Sequence, residues 1–95
     1  MKLALITGAT KGIGRSTAQT FARSGWNLIL LARDRKKLQD LKNELSNTGV
    51  QINLLVCDLS QSDKVDRCLN QSINTYGCPT VVINNAGFAF NGELV

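Results

Sequence analysis

Short apolar runs recur along the chain and predict β-strands. Residues 28–31 read Leu-Ile-Leu-Leu without a polar interruption, which is typical of a central parallel strand covered on both faces. In the third run Ile52, Leu54 and Val56 alternate with Gln51, Asn53 and Cys57, so one side of that strand is expected to be less buried, as near a sheet edge. The predicted strands are residues 3–6, 27–32, 51–57 and 81–83.

Between these runs, apolar residues recur at helical spacing and predict helices at residues 13–24, 35–47 and 62–76. Gly25 and Gly49 are expected to end the first two helices, and Asp34 is expected to cap the start of the second. The faces expected to pack on the sheet consist of Ile13, Thr17, Ala18, Phe21 and Ala22, then Leu38, Leu41 and Leu45, then Val65, Cys68, Leu69, Ser72, Ile73 and Tyr76.

The regular alternation of strands and helices predicts an α/β fold with right-handed crossovers. We expect a single domain over residues 1–95, with four parallel strands in the order 3-2-1-4 and three helices, as in a doubly wound sheet. In such a sheet the strand order reverses between strands 1 and 4. A ligand is therefore expected at the carboxyl ends of these strands, where residues 7–14, 58–59 and 84–87 meet.

The first of these loops, residues 7–14, reads T-G-A-T-K-G-I-G and joins the first strand to the first helix. Glycines at such a junction allow a tight turn, close backbone approach to a pyrophosphate and close packing of helix on strand. The helix N-terminus then presents free N–H groups and a partial positive charge to an anion. An ordinary turn between a strand and a helix is the alternative interpretation of the glycines alone.

Composition disfavours several other kinds of site. Cys57, Cys68 and Cys78 are odd in number, lack C-x-x-C spacing and have no histidine to share a metal with, which argues against a disulfide framework or a zinc site. Cys57 and Cys68 are instead predicted to be small buried apolar residues. The net charge of +4 does not indicate nucleic acid, because the basic residues form no helical stripe and no aromatic residues are interleaved with them.

No apolar run approaches the roughly 20 residues of a membrane span. The N-terminal residues run into the glycine motif without a cleavage site, so they are not interpreted as a signal peptide. The sequence therefore predicts a cytoplasmic protein without membrane contact.

Three motifs together resemble the N-terminal half of the short-chain dehydrogenase/reductase family. They are T-G-A-T-K-G-I-G after the first strand, C-D-L after the third and N-N-A-G after the fourth, and the resemblance covers essentially the whole chain. It implies a Rossmann-type fold that binds a nicotinamide dinucleotide for hydride transfer between an alcohol and a carbonyl group. The cofactor-binding residues that it implies are Gly8, Thr10, Lys11, Gly12, Ile13, Gly14, Arg33, Asp58, Leu59, Asn85, Ala86 and Gly87.

Within this resemblance, Gly8, Gly12 and Gly14 are expected along the pyrophosphate, Asp58 and the Leu59 backbone at the adenine, and residues 85–87 at the adenosine ribose. Asn84 is expected either to take part in this site or to fix the fourth strand to the neighbouring turn, as short amides at strand ends often do.

The choice of nicotinamide cofactor depends on the residue after the second strand. A site for NAD usually places a carboxylate about 20 residues beyond the glycine motif, where it accepts a hydrogen bond from the ribose 2′-hydroxyl. Here the position is occupied by Ala32 and then Arg33, and Lys11 in the glycine loop can approach the same group. Two cations attract a 2′-phosphate, so the sequence predicts NADP(H). Asp34 is the alternative ribose ligand, although a helix cap accounts for it more simply.

The family that the chain resembles uses a catalytic pair, a tyrosine with a lysine four residues later. This sequence does not contain such a pair. Tyr76 is followed four residues later by Thr80, and its position on an apolar helix face predicts a core role. We therefore predict no catalytic residue, and an inactive chain truncated before the catalytic portion. Two hypotheses follow: the cofactor-binding portion of an NADP-dependent oxidoreductase, or a non-catalytic dinucleotide-binding or interaction module of this length.

The fourth strand is predicted to lie at an open edge of the sheet. Val81, Val82 and Ile83 carry no charge that would prevent pairing with another chain. The sequence therefore predicts a homo-oligomer or other self-association through this strand and the segment 88–95.

Overall fold

A computed structural model describes residues 2–57 and 62–84, and only the backbone of residues 62–65. In these residues β-strands alternate with α-helices, as the hydrophobic pattern predicts. The elements are β1 (Leu3–Thr7), α1 (Gly12–Arg23), β2 (Asn27–Ala32), α2 (Arg35–Leu45), a short 3₁₀ helix (Ser46–Thr48), β3 (Ile52–Val56), α3 (Ser62–Tyr76) and β4 (Val81–Asn84).

The four strands form one parallel sheet in the order β3-β2-β1-β4, which confirms the predicted topology. The register of β1 runs from Leu3 opposite Asn27 to Thr7 opposite Leu31 on one side. On its other side Thr7 lies opposite Asn84 of β4. The carboxyl ends of β1, β2 and β4 therefore lie side by side, with the β1–α1 loop directly above them.

One face of the sheet is covered by α1 and α2. Their buried residues pack on the strand side chains that point to this face, among them Ile6, Leu28 and Leu30, which are all 0% exposed. The helices contribute small residues from α1 and leucines from α2: Ala18, Ala22, Leu38, Leu41 and Leu45. Small side chains on α1 let that helix approach the sheet closely, as the adjacent glycine loop requires.

The opposite face is covered by α3. Leu3, Leu5, Ile29 and Leu31 are buried there, and Tyr76 is partly buried against them. Leu28, Ile29, Leu30 and Leu31 are thus all 0% exposed, so β2 is a central strand covered on both faces, as predicted. The same face holds Cys57, which is buried as predicted, and Cys68, which packs against the same cluster but is only partly buried.

The predicted helix ends are also present. Asp34 precedes α2, and its Oδ1 accepts a hydrogen bond of 3.1 Å from the Lys37 N–H. Gly25 follows α1 with a φ of 87°, and Gly49 follows the 3₁₀ helix with a φ of 79°, both in the region that favours glycine. The second helix ends at Leu45, and the predicted last residues of that helix form the 3₁₀ helix instead.

Val65, also predicted on a buried face, has a side chain outside the described residues; among the side chains that are described, three predicted to be on buried faces are exposed. Ile13 is 76% exposed because it lies in the first turn of α1, beyond the carboxyl edge of the sheet. Ile73 of α3 is 44% exposed, and it lines a cavity together with Leu5 of β1 and Val82 of β4. Val56 is 38% exposed at the end of the edge strand β3, whereas its neighbour Cys57 is buried under α3.

Candidate cofactor site

The site is built on the turn between β1 and α1. Gly8 and Gly12 both have positive φ, 60° and 47°, in the region that non-glycine residues rarely adopt. Gly14, in the first turn of α1, is buried against the turn itself. A Cβ at position 14 would overlap the Gly8 carbonyl oxygen and lie 2.9 Å from its carbonyl carbon. The three glycines therefore bring the start of α1 onto the end of β1.

The N-terminus of α1 is suited to an anion. Lys11 is the N-cap residue, and among the described residues no side chain accepts a hydrogen bond from the first turn at this cap. The first turn contains no acidic residue. The first N–H groups of a helix have no partner within the helix, and the helix dipole adds a partial positive charge at this end. This end of α1 can therefore hold a phosphate group.

The cations predicted at the site lie at its rim. Lys11 is exposed in the glycine loop, and Arg33 is exposed directly after the last residue of β2, Ala32. The loop is fixed to β2 by a backbone hydrogen bond of 3.5 Å from the Ala9 N–H to the Leu31 carbonyl oxygen. Lys11 and Arg33 thus follow neighbouring strands at the same edge of the sheet. The side chain of Asp34 is engaged with the N-terminus of α2.

Thr7 and Asn84 join the two strands that flank the point where strand order reverses. Thr7 is 0% exposed, and its Oγ1 donates a hydrogen bond of 3.0 Å to Asn84 Oδ1. The same hydroxyl lies 3.5 Å from the Ile83 carbonyl oxygen. The structural role considered for Asn84 in the sequence is therefore present: it fixes the end of β4 to the start of the glycine loop.

Five predicted site residues lie outside the residues that the structure describes: Asp58, Leu59, Asn85, Ala86 and Gly87. Of the others, Gly8, Thr10, Lys11, Gly12, Ile13 and Gly14 all belong to the β1–α1 loop and first helical turn, and Arg33 follows the adjacent strand. The exposed Ile13 places an apolar side chain at this rim.

Two contacts near the site were not found from the sequence. Ala9 is 0% exposed and holds the glycine loop on β2, for which the only sequence signal is its small size. Arg15, in the first turn of α1, donates to both carboxylate oxygens of Glu44 at 2.5 and 2.7 Å. These two residues are 29 positions apart, so no local pattern pairs them.

The described residues contain no group of three or more His, Cys, Asp or Glu side chains arranged to hold a metal ion. Tyr76 packs against the apolar cluster beneath α3, which confirms the core role predicted for it. None of the helices in the described ranges is both long and apolar enough to cross a bilayer.

A parallel sheet with glycine-dependent contact between its first strand and first helix defines a dinucleotide-binding α/β protein. The particular family follows from comparison with known proteins: the model of the short chain dehydrogenase family matches residues 2–94. The chain belongs to this family.

Relatives with curated names and solved structures agree with that assignment. The dehydrogenase/reductase SDR family member 7B of Xenopus laevis is 32% identical over an alignment of 97 positions, which covers 96% of this chain and 30% of that protein. L-sorbose reductase from Gluconobacter frateurii, solved with NADPH and L-sorbose, has a TM-score of 0.84 and 30% identity over 98% of this chain and 36% of its own.

A short-chain dehydrogenase from Sphingobium yanoikuyae, solved in complex with NADPH, has a TM-score of 0.82 and 35% identity, covering 97% of this chain and 36% of its own. The chain thus spans about a third of the length of the relatives that it matches.

Proposed function

We propose that this chain is the NADP(H)-binding portion of a short-chain oxidoreductase that transfers hydride between the nicotinamide cofactor and an alcohol or carbonyl substrate. The observation that carries the proposal is the contact between Gly8 and Gly14, which leaves no room for a Cβ and places the N-terminus of α1 at the end of β1. Solved relatives in complex with NADPH support the same cofactor.

The residues of the glycine loop fit a dinucleotide. Backbone N–H groups at the start of α1 would hold the pyrophosphate, and Gly8 and Gly12 allow the backbone to approach it. The exposed Ile13 would pack against the cofactor, which explains an apolar side chain at this position. For Asp58, Leu59, Asn85, Ala86 and Gly87 the proposed adenosine contacts rest on their match to the family motifs.

The preference for NADP(H) over NAD(H) rests on charge. Lys11 and Arg33 are exposed cations at the ends of neighbouring elements, and the Asp34 carboxylate already accepts a hydrogen bond from α2. A 2′-phosphate would pair with the two cations, whereas the carboxylate nearest to Arg33 that could accept from a ribose 2′-hydroxyl, Asp34, is used to cap α2.

The test is titration calorimetry of the purified chain with NADPH and with NADH. We expect NADPH to bind at least tenfold more tightly, because one charge-assisted contact contributes about 1.5 to 3 kcal/mol. Equal affinities, or tighter binding of NADH, would contradict the assignment of NADP(H).

Catalysis is proposed to require residues other than those of this chain. Tyr76 packs in the core, and no lysine follows it at the spacing of the family's catalytic pair. We therefore expect that the 95-residue chain does not oxidise NADPH in the presence of carbonyl substrates. Oxidation would be measured as a loss of absorbance at the nicotinamide band. Turnover that persists through repurification and exceeds a blank without protein would disprove this.

The expected cytoplasmic location stays a prediction.

We also propose that the chain self-associates through β4. Within the described residues, no strand pairs with β4 on the side away from β1. Its residues Val81, Val82 and Ile83 are apolar and only partly buried, so a further strand would cover both backbone and side chains. Analytical ultracentrifugation is expected to show a concentration-dependent dimer that Val82→Lys shifts toward monomer. A monomer at every concentration would contradict self-association.

A further inference from the structure

The inference concerns the ion pair between Arg15 in the first turn of α1 and Glu44 in the last turn of α2. The Arg15 Nη2 atom donates to Glu44 Oε1 at 2.5 Å and to Glu44 Oε2 at 2.7 Å. Both side chains are 42% exposed. An ion pair at this exposure contributes little to stability by itself. Its position beside the glycine loop indicates a different role.

Arg15 closes the first turn of α1. Its backbone N–H donates to the carbonyl oxygen of the N-cap residue Lys11 at 3.3 Å, which is the first hydrogen bond of the helical pattern. The N–H groups of residues 12–14 precede it and have no partner within the helix. These are the groups that face an anion at this end of α1. The placement of Arg15 therefore affects how the phosphate-binding N–H groups are held.

The turn that Arg15 closes is weakly fixed by its own residues. Lys11, Gly12 and Ile13 are exposed. Gly12 has a φ of 47°, and among the described residues no atom outside its own turn lies within 4 Å of its Cβ position. Glycine permits many backbone conformations, so local preference does not select the one observed. The side chain of Arg15 attaches this turn to α2.

Glu44 is a firmly placed partner for that attachment. Its neighbours Leu41 and Leu45 are 1% and 3% exposed and pack in the core beneath α2. Glu44 lies ten positions after the cap residue Asp34, which is about 15 Å along the helix from the carboxyl edge of the sheet. The Arg15 side chain is therefore directed away from the edge where the cofactor would bind. An effect of Arg15 on the cofactor would pass through the backbone of α1.

We infer that Arg15 and Glu44 are positioning residues for the cofactor: their ion pair holds the first turn of α1 in the conformation that accepts the pyrophosphate. The inference rests on the proposed function and adds two residues to it, of which Glu44 belongs to a different helix. Because the pyrophosphate is common to NADPH and NADH, the pair should raise the affinity for both cofactors by the same factor. Arg33, by contrast, is proposed to act on the 2′-phosphate of NADPH.

The substitution Glu44→Gln separates positioning from a simple effect of charge. A carboxylate repels phosphate groups, so its removal would tighten cofactor binding if charge alone mattered. If Glu44 holds Arg15 in place, the same substitution weakens binding. We expect a loss of about twofold to fivefold, which matches the contribution of an exposed ion pair. Arg15→Gln should weaken binding by a similar factor, and the double variant should be no weaker than either single variant, since each removes the same interaction.

Titration calorimetry with NADPH and with NADH measures these affinities, and urea denaturation of the same variants measures their stability. An ion pair with a purely structural role would lower the free energy of unfolding and leave both affinities unchanged. Arg23→Gln and Asp40→Asn are the matched controls. They make the same charge changes on α1 and α2, at exposed residues for which the described part of the chain shows no ion pair. Neither control should change the affinity for either cofactor.

Exchanging the two charges is a second test. Arg15→Glu places a carboxylate in the first turn of α1, where it favours the helix, so weaker cofactor binding in this variant would not come from a weaker helix. Adding Glu44→Arg restores the ion pair with its charges reversed. The exchanged variant should therefore bind both cofactors more tightly than the sum of its two single variants predicts.

The outcomes separate this inference from the proposed function. Weaker binding of both cofactors in Glu44→Gln, with an unchanged ratio of NADPH to NADH affinity, supports the positioning role. Tighter or unchanged binding in Glu44→Gln overturns it, and so does a changed ratio; in these cases the native chain still binds NADPH and the proposed function stands. A native chain that binds neither cofactor overturns the proposed function and the inference together.

Discussion

The hydroxyl of Thr7 lies 3.0 Å from the side-chain oxygen of Asn84, and this hydrogen bond joins the carboxyl ends of β1 and β4 at the point where the strand order reverses. The first residue of the glycine loop is thus also the residue that positions the fourth strand. Cofactor binding and assembly of the sheet are expected to depend on the same contact.

Thr7→Val tests that contact by removing the buried hydroxyl at nearly constant volume. We expect the free energy of unfolding to fall by about 0.5 to 1.5 kcal/mol, because the exposed Asn84 side chain loses its hydrogen bond with the buried Thr7 hydroxyl. Urea denaturation measures the change. Thr20→Val is the control: its hydroxyl bonds to the Ser16 carbonyl on the exposed side of α1, and its loss should cost less than about 0.5 kcal/mol. Equal effects of the two substitutions would show that the Thr7 hydrogen bond contributes little.

Gly14→Ala should be destabilising although alanine favours helices. An alanine in a helix normally gains about 1 kcal/mol over glycine. At position 14, however, the new methyl group overlaps the Gly8 carbonyl, so the loop must move and about 1 to 3 kcal/mol is lost instead. Unfolding experiments are expected to show lower stability. Titration with NADPH is expected to show an affinity that is reduced at least tenfold.

Gly25→Ala provides the comparison for this variant. It has a φ of 87° with no atom within 4 Å of its Cβ position, so it should lose stability through backbone strain while retaining cofactor affinity. If Gly14→Ala bound NADPH as tightly as the native chain, the close contact of helix and strand would not be needed for binding.

Arg33→Ala should reduce the affinity for NADPH by about tenfold to a hundredfold and change the affinity for NADH less than twofold, since only NADPH carries the 2′-phosphate. Increasing salt should reduce the difference in affinity between NADPH and NADH, because the contact is exposed and is screened by ions. Calorimetry at several salt concentrations measures this change. Arg23→Ala removes the same charge from the far end of α1 and should leave both affinities unchanged. A cofactor preference that survives in Arg33→Ala would exclude Arg33 as its source.

Asp34→Ala distinguishes the two roles considered for this carboxylate. Because its Oδ1 caps α2, we expect a loss of about 0.5 to 2 kcal/mol in unfolding free energy. The ratio of NADPH to NADH affinity should stay constant. A selective loss of NADH binding would instead show that Asp34 reaches the ribose. Asp40→Ala, at an exposed position within α2, controls for the change in net charge.

Much of this fold was determined by the sequence alone. Local hydrophobic patterns are sufficient to place strands and helices, and the right-handed crossover then leaves one strand order, which the sheet confirms. The burial of residues 28–31 on both faces, the Asp34 cap and the three glycines of the loop follow from the same local rules, because each depends on a few neighbouring residues.

The tertiary structure decided what depends on neighbours distant in sequence. Ile13 and Ile73 occupy apolar positions in their helical patterns, yet both are exposed, because helical periodicity gives the direction of a side chain and not what lies opposite it. The overlap of Gly14 with Gly8, the hydrogen bond of Thr7 to Asn84 and the ion pair of Arg15 with Glu44 likewise arise only when the chain is folded. Sequence patterns predict the residues of the candidate site, and packing sets the distances between those that the structure describes.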